Sequence, residues 1–178
     1  NSVVAWGLAS GGGSIREVKA QLRSKVVALH STAQAFSALK ESGNVISWGN
    51  ESDGGDILAR PEDRGEVAKI FCTEHAFAAL DRREGRVCCW GHKDYGGEFS
   101  GQTFAELVGI YEICGTAFAF AALKHDGTVL TWGHPAYGGD PGACKAQLAA
   151  GKVIRLFATH RAFAAVKRDG NIITWGAA

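Results

Sequence analysis

Five Trp-Gly pairs, at Trp6, Trp48, Trp90, Trp132 and Trp175, follow one another at intervals of 42, 42, 42 and 43 residues. No other feature constrains the chain as much. In a tandem array of this period each copy is a supersecondary unit too small to bury its own apolar faces, so its neighbours must cover them. The sequence divides into a partial unit over residues 1–7 and four units over 8–49, 50–91, 92–133 and 134–176. A repeat of this kind also points away from catalysis.

The copies agree well beyond the tryptophan. Each has a Phe-centred segment (residues 35–40, 76–80, 119–124 and 162–167), with Thr32, Thr73, Thr116 or Thr159 four residues before the Phe. Gly43, Gly85, Gly127 and Gly170 each stand five residues before a tryptophan. Val129-Leu130-Thr131-Trp132 and Ile172-Ile173-Thr174-Trp175 are β-branched and aromatic and follow an Asp-Gly, which reads as a hairpin with glycine supplying the positive φ. A further strand comes earlier in each unit, at 26–29, 67–71, 110–114 and 153–157. The small residues of the Phe-Ala-Ala segments predict close approach of neighbouring sheets. In the second unit Phe77 is one residue further from its glycine, and the hairpin tip Asp81-Arg82-Arg83-Glu84 is where an extra residue is cheapest. The expected fold is all-β: a propeller-type array of about four three-stranded antiparallel blades with short helices in the connecting loops, forming an open arc or part of a larger propeller.

After each Trp-Gly come two glycines and a polar residue at identical offsets, ending at Ser14, Asp56, Glu98 and Asp140. One carboxylate per unit leaves a hard cation short of its ~6 oxygen ligands, so these read as helix caps rather than metal ligands. Ser14 with Glu17 forms a capping-box pattern, and Asp140 precedes a Pro at a first helical position. Short helices are predicted at 17–22 and 143–148.

A net charge of +1 with scattered Lys and Arg argues against a nucleic-acid partner. No apolar run approaches the ~20 residues of a membrane span, which leaves peripheral association with a membrane complex as the only membrane role. The chain starts at Asn1 and contains no Met, and it reads as a soluble piece processed or excerpted from something longer, an organelle being one setting for it. Five cysteines at unmatched repeat positions, Cys72, Cys88, Cys89, Cys114 and Cys144, argue against a disulfide framework and contain no CxxC for zinc. Cys88 aligns with core positions and Cys89 with the opposite face. Phosphate loops, serine-nucleophile elbows and zinc-protease motifs are absent, and no cofactor, metal or catalytic residue is expected. His92 and His134 share an offset and read as polar residues of one rim.

The segment Ala162-Phe163-Ala164-Ala165-Val166-Lys167-Arg168-Asp169-Gly170-Asn171-Ile172-Ile173-Thr174-Trp175-Gly176 resembles the repeat of the regulator of chromosome condensation family and of the related β-lactamase inhibitor protein II propeller. The Tyr-Gly-Gly-Asp form of the loop is similar to tandem arrays in algal repeat proteins. The resemblance covers essentially the whole chain and implies a propeller repeat. It does not carry over nucleotide exchange, because alanines precede the Phe here and the family's acidic and His residues have no matching positions. Seven units at this period need about 290 residues, more than the 178 present.

Recognition is expected where the copies differ. Two residues before each Phe stand Gln34, His75, Phe118 and Arg161, and five after each Trp stand Gly11, Asp53, Tyr95 and Tyr137. Tyr95, Tyr137, Phe118, Arg161 and His75 are the candidate partner-binding residues, being of types favoured at hot spots. The expected function is a non-catalytic protein-interaction or structural module, an accessory subunit docked on a larger assembly. Two alternatives stand beside it: a peripheral subunit of an algal photosynthetic membrane supercomplex, and a remnant exchange or enzyme-inhibitor propeller. Residues 3–6 read as a closing strand without its hairpin partner, and an isolated array with such an end is expected to self-associate.

Overall fold

The computed structural model describes residues 3–56, 66–99 and 106–177. Four antiparallel three-stranded sheets follow one another along the chain: β1 (Val26–Ser31), β2 (Ala35–Lys40) and β3 (Val45–Gly49); β4 (Val67–Cys72), β5 (Ala76–Asp81) and β6 (Val87–Gly91); β7 (Ile110–Gly115), β8 (Ala119–Lys124) and β9 (Val129–Gly133); β10 (Val153–Ala158), β11 (Ala162–Lys167) and β12 (Ile172–Gly176). Strand order within each sheet is first, second, third. The expected all-β array of four blades is thereby borne out.

Register explains why Phe and Trp recur together. Phe36 lies opposite Trp48, Phe77 opposite Trp90, Phe120 opposite Trp132 and Phe163 opposite Trp175. Each pair stacks, with ring centroids 5.5, 5.2, 5.2 and 5.3 Å apart. Such cross-strand aromatic pairs are the unit of sheet stabilisation. Because strand side chains alternate, the Phe and Trp point to one face of the sheet and the flanking alanines to the other.

Both faces are buried between neighbours. In the second unit Phe77, Ala79, Cys88 and Trp90 pack toward the first unit's Ala35 and Leu39. Ala76, Ala78, Leu80, Val87 and Cys89 pack toward Ile110, Ile113, Phe120 and Trp132 of the third. The central strand is closed off on both sides, and small residues at alternate positions, Ala76 and Ala78 here and Ala35 and Ser37 in the first unit, let two sheets come this near. Cys88 and Cys89 thus divide between the faces as the alignment predicts, and Cys72, Cys89, Cys114 and Cys144 are free thiols.

Three sets of hydrogen bonds join each unit to the next. Ala33 N donates to Glu74 O, Glu74 N to Ala117 O and Ala117 N to His160 O, at 2.7–2.9 Å. The repeated threonine supplies the second set: Thr32, Thr73 and Thr116 Oγ1 donate to Asp53, Tyr95 and Tyr137 O at 3.1, 3.0 and 3.2 Å. In the third, Val67, Ile110 and Val153 N donate to the hairpin carbonyls of Gly43, Gly85 and Gly127. Among the described residues no backbone hydrogen bond joins the first unit to the fourth, so the array is an open arc.

Several expectations need correction. Residues 3–6 form no strand, although Val3 packs into the first core cluster. Residues 17–22 form irregular turns rather than a helix, with Leu22 N donating to Val18 O, so the Ser14–Glu17 pattern has no regular helix to cap. Packing of Ile15, Val18 and Leu22 against Trp48 decides that segment's path more than helix propensity does. Residues 143–148 fall in a 3-10 turn, Gly142–Cys144, running into α1 (Lys145–Ala149); Pro141 rather than Asp140 stands at its N-cap, and Asp140, one residue ahead, accepts from Gly142 N through Oδ1 at 2.9 Å. The counterpart segments after Asp56 and Glu98 lie largely outside the described residues. The first strand of every unit also skips one residue in register, at Val27, Ala68, Tyr111 and Ile154, a bulge that the sequence did not announce.

Candidate functional site

The short turn between first and second strands lies on the inner rim of the arc. Glu74 Oε1 of the second unit reaches His160 Nε2 of the fourth at 3.1 Å, past the third, which requires the units to converge there. The loop after each Trp-Gly meets this rim. It is a 3-10 turn (Ala9–Gly11, Glu51–Asp53, Lys93–Tyr95 or Pro135–Tyr137) closed by a left-handed glycine, Gly12, Gly54, Gly96 or Gly138. These glycines lie against the Phe-Trp stack, and a Cβ on Gly138 would come 2.5 Å from Phe163 Cδ2. Trp48, Trp132 and Trp175 Nε1 donate to Gly12, Gly96 and Gly138 O at 2.9, 3.1 and 3.1 Å. The loop is therefore held at both ends, and its last 3-10 residue is presented beside the strand turn.

All five residues singled out from the sequence fall on one continuous line along this rim. Asp53 Oδ1 is 2.7 Å from His75 Nδ1. The His75 ring meets Tyr95 at 4.4 Å, Tyr95 meets Phe118 at 5.0 Å and Phe118 meets Tyr137 at 4.2 Å between centroids. The Arg161 guanidinium lies 5.9 Å from the Tyr137 ring centre. Strand-turn and loop positions alternate, so each side chain wedges between two from the neighbouring element. Tyr95, Phe118 and Tyr137 are half-buried and Arg161 is exposed.

Four more side chains complete the rim. His92 and His134 accept from Asp94 N and Ala136 N through Nδ1, at 3.3 and 3.2 Å, and turn their edges onto Tyr95 and Tyr137. Their shared offset reflects turn capping. Glu74 lies between His160 and His75, whose Nε2 is 4.0 Å from Glu74 Oε2. Glu74 and His160 were not picked out in the sequence; their common offset, one after the repeated threonine, was the available signal.

Among the described residues no three His, Cys, Asp or Glu are placed to hold a metal, and no helix is long and apolar enough to cross a membrane. Burial pushes the Cys114 thiol up to about 12 and raises Cys89 further, so neither is a thiolate near neutral pH.

With the geometry in place, the chain can be set beside known structures. It aligns with Prp20p from Saccharomyces cerevisiae at a TM-score of 0.60 and 17% identity, over 99% of this chain and 51% of that one. It aligns with the ectodomain of the Physcomitrella patens receptor kinase CR4 at 0.57 and 17%, over 87% and 40%. With the CRINKLY WD40 ectodomain of the Arabidopsis thaliana receptor kinase ACR4 the values are 0.54 and 19%, over 85% and 51%. The fold is RCC1-like. At these identities the likeness is one of fold, and the RCC1-like array spans about half or less of each solved chain. No family sequence model matches the chain, and no curated protein matches it in sequence.

Proposed function

We propose that this array is a non-catalytic interaction module whose inner rim takes a protein partner, as an accessory subunit on a larger assembly. The observation that carries the reading is the unbroken line His75–Tyr95–Phe118–Tyr137–Arg161, half exposed on rigid, doubly anchored loops. Large amphipathic rings already fixed by their neighbours lose little entropy on binding, and Tyr and Arg dominate hot spots. Among structures of similar fold, yeast RCC1 (Prp20) has been seen bound to Kap60, and Prp20p is described with binding to Gsp1p and histones. Those partners belong to those proteins. They support only the use of the fold as a binding platform.

The test is affinity capture from the native source with the wild-type chain and with Phe118→Ser/Tyr137→Ser. A protein recovered by the wild type and lost at least tenfold with the double variant supports the rim. Recovery that is unchanged by the double variant overturns it. If the protein captured is a subunit of a photosynthetic membrane complex, the peripheral-subunit alternative is selected as the setting.

A further inference from the structure

Along the chain Lys and Arg are scattered, but the fold sorts them. Antiparallel pairing brings the start of every first strand and the hairpin between second and third strands to one rim, and the strand turns and Trp-Gly loops to the other. The hairpin rim (25–28, 40–44, 66–69, 81–86, 109–112, 124–128, 152–155 and 167–171) carries eleven Lys and Arg against seven Asp and Glu. The opposite rim, which holds the aromatic line (8–14, 32–34, 50–56, 73–75, 92–98, 116–118, 134–140 and 159–161), carries two against seven. A net charge of +1 thus hides a basic rim and an acidic one.

The seven carboxylates of the basic rim are all engaged. Glu41, Glu66 and Glu84 pair with Lys25, Arg83 and Arg86. Asp81, Asp126 and Asp169 accept backbone N–H groups of their own turns, and Glu112 accepts from Leu156 N. Lys69, Arg82, Lys124, Lys152, Arg155 and Arg168 form no ion pair among the described residues. One repeated bond keeps the hairpin tips level from unit to unit: Arg82, His125 and Arg168 N donate to Glu66, Gly109 and Lys152 O. The uncompensated cations are therefore spread along one rim rather than gathered around a groove.

We infer that the hairpin rim docks on an anionic lipid surface, with the aromatic rim turned away from it. Cations at one level match a plane of phosphate headgroups, and the excess of carboxylates on the opposite rim fixes the orientation. The strand bulge adds an apolar component on the same side. Tyr111 has a unit on each side and is still 38% exposed, and Ile154 is 40% exposed, so the register skip within the unit puts these side chains outside the core. Apolar and aromatic side chains beside Lys and Arg suit the headgroup boundary. A nucleic acid fits less well. Tyr111 already stacks on His125 at 4.8 Å and its hydroxyl donates to Ile154 O, which leaves it a poor platform for a base.

Co-sedimentation with vesicles of phosphatidylcholine, with and without phosphatidylglycerol, provides the test. The chain should pellet with the anionic vesicles at low salt and be released as salt screens the exposed charges. Arg82→Glu/Arg168→Glu should weaken binding at least tenfold, since it reverses two unpaired cations of the docking rim. Lys93→Glu/Lys145→Glu, at exposed sites away from the hairpins, makes the same change in net charge and should stay within about twofold of wild type. Circular dichroism checks that both variants fold, and the salt dependence of the wild type stands without them. Failure of the wild type to pellet with anionic vesicles overturns the proposal, as does equal binding to neutral ones or equal loss in the two variants. Preference for a DNA duplex over the anionic vesicles in direct competition overturns it too, and assigns the same cations to phosphodiesters.

Discussion

Gly138 is held by two separate demands, and they can be measured apart. Its φ of +96° is in the left-handed region, and a Cβ there would press on Phe163. Gly170 has a similar φ of +87° with open space around its Cβ position. Gly170→Ala should therefore cost only the backbone term, about 1–2 kcal/mol. Gly138→Ala should add about 1–3 kcal/mol for overpacking. Urea unfolding of the two variants checks this, and equal losses would mean that the loop yields freely. At the next hairpin inward, Asp126 accepts from Thr128 N at 2.9 Å, and that hydrogen bond holds its carboxyl below the usual carboxylate value. With the folded value depressed, the contribution is present above the unfolded pKa and is lost as pH falls through the folded one. NMR titration of the Asp126 carboxyl should accordingly give a midpoint below that of an unstructured aspartate.

Among the connecting elements, the repeated threonine has two tasks. Thr116 Oγ1 accepts from Ala119 N at 3.0 Å, closing its own strand turn, and donates to Tyr137 O of the next unit. Thr159 closes its turn in the same way but is exposed, and among the described residues its hydroxyl reaches no carbonyl of another unit. Thr116→Val should cost about 1–3 kcal/mol by leaving buried groups unsatisfied, and Thr159→Val clearly less. Chemical denaturation of the pair decides whether the inter-unit bond matters. These threonines, the Phe-Trp pairing and the turn glycines were all legible as periodic letters, because each enforces the same local geometry in every unit. The bulge at Val27, Ala68, Tyr111 and Ile154 was not, since four unlike residues occupy it and only the paired strand reveals the skip. Nor was the turn at 17–22, where alternatives of similar local propensity are chosen by what lies beneath. The rim was legible in a different way: its residues differ between copies, so variation within a fixed frame, rather than repetition, marked the positions that meet.

At the scale of the whole molecule, stability in such an array is a sum of intrinsic unit terms and nearest-neighbour interfaces, so a unit with one interface is weaker than a unit with two. The third unit is enclosed on both sides, and Ala119, Phe120, Ala121, Ala122 and Leu123 of β8 are fully buried. The fourth has one covered face, and its β11 is buried only at alternate residues, Phe163, Ala165 and Lys167. The first is intermediate, because Val3, Ile15, Val18 and Leu22 pack with its Phe36 and Trp48. Lys167 steadies the fourth unit locally by donating to the Gln147 and Ala150 carbonyls at the end of α1, but that bond does nothing for the open face. Native-state amide exchange should therefore rank protection as β8 and β5 first, β2 next and β11 last. Uniform protection across all four central strands would mean that the array unfolds as a single cooperative block, and that its interfaces contribute less than its units do.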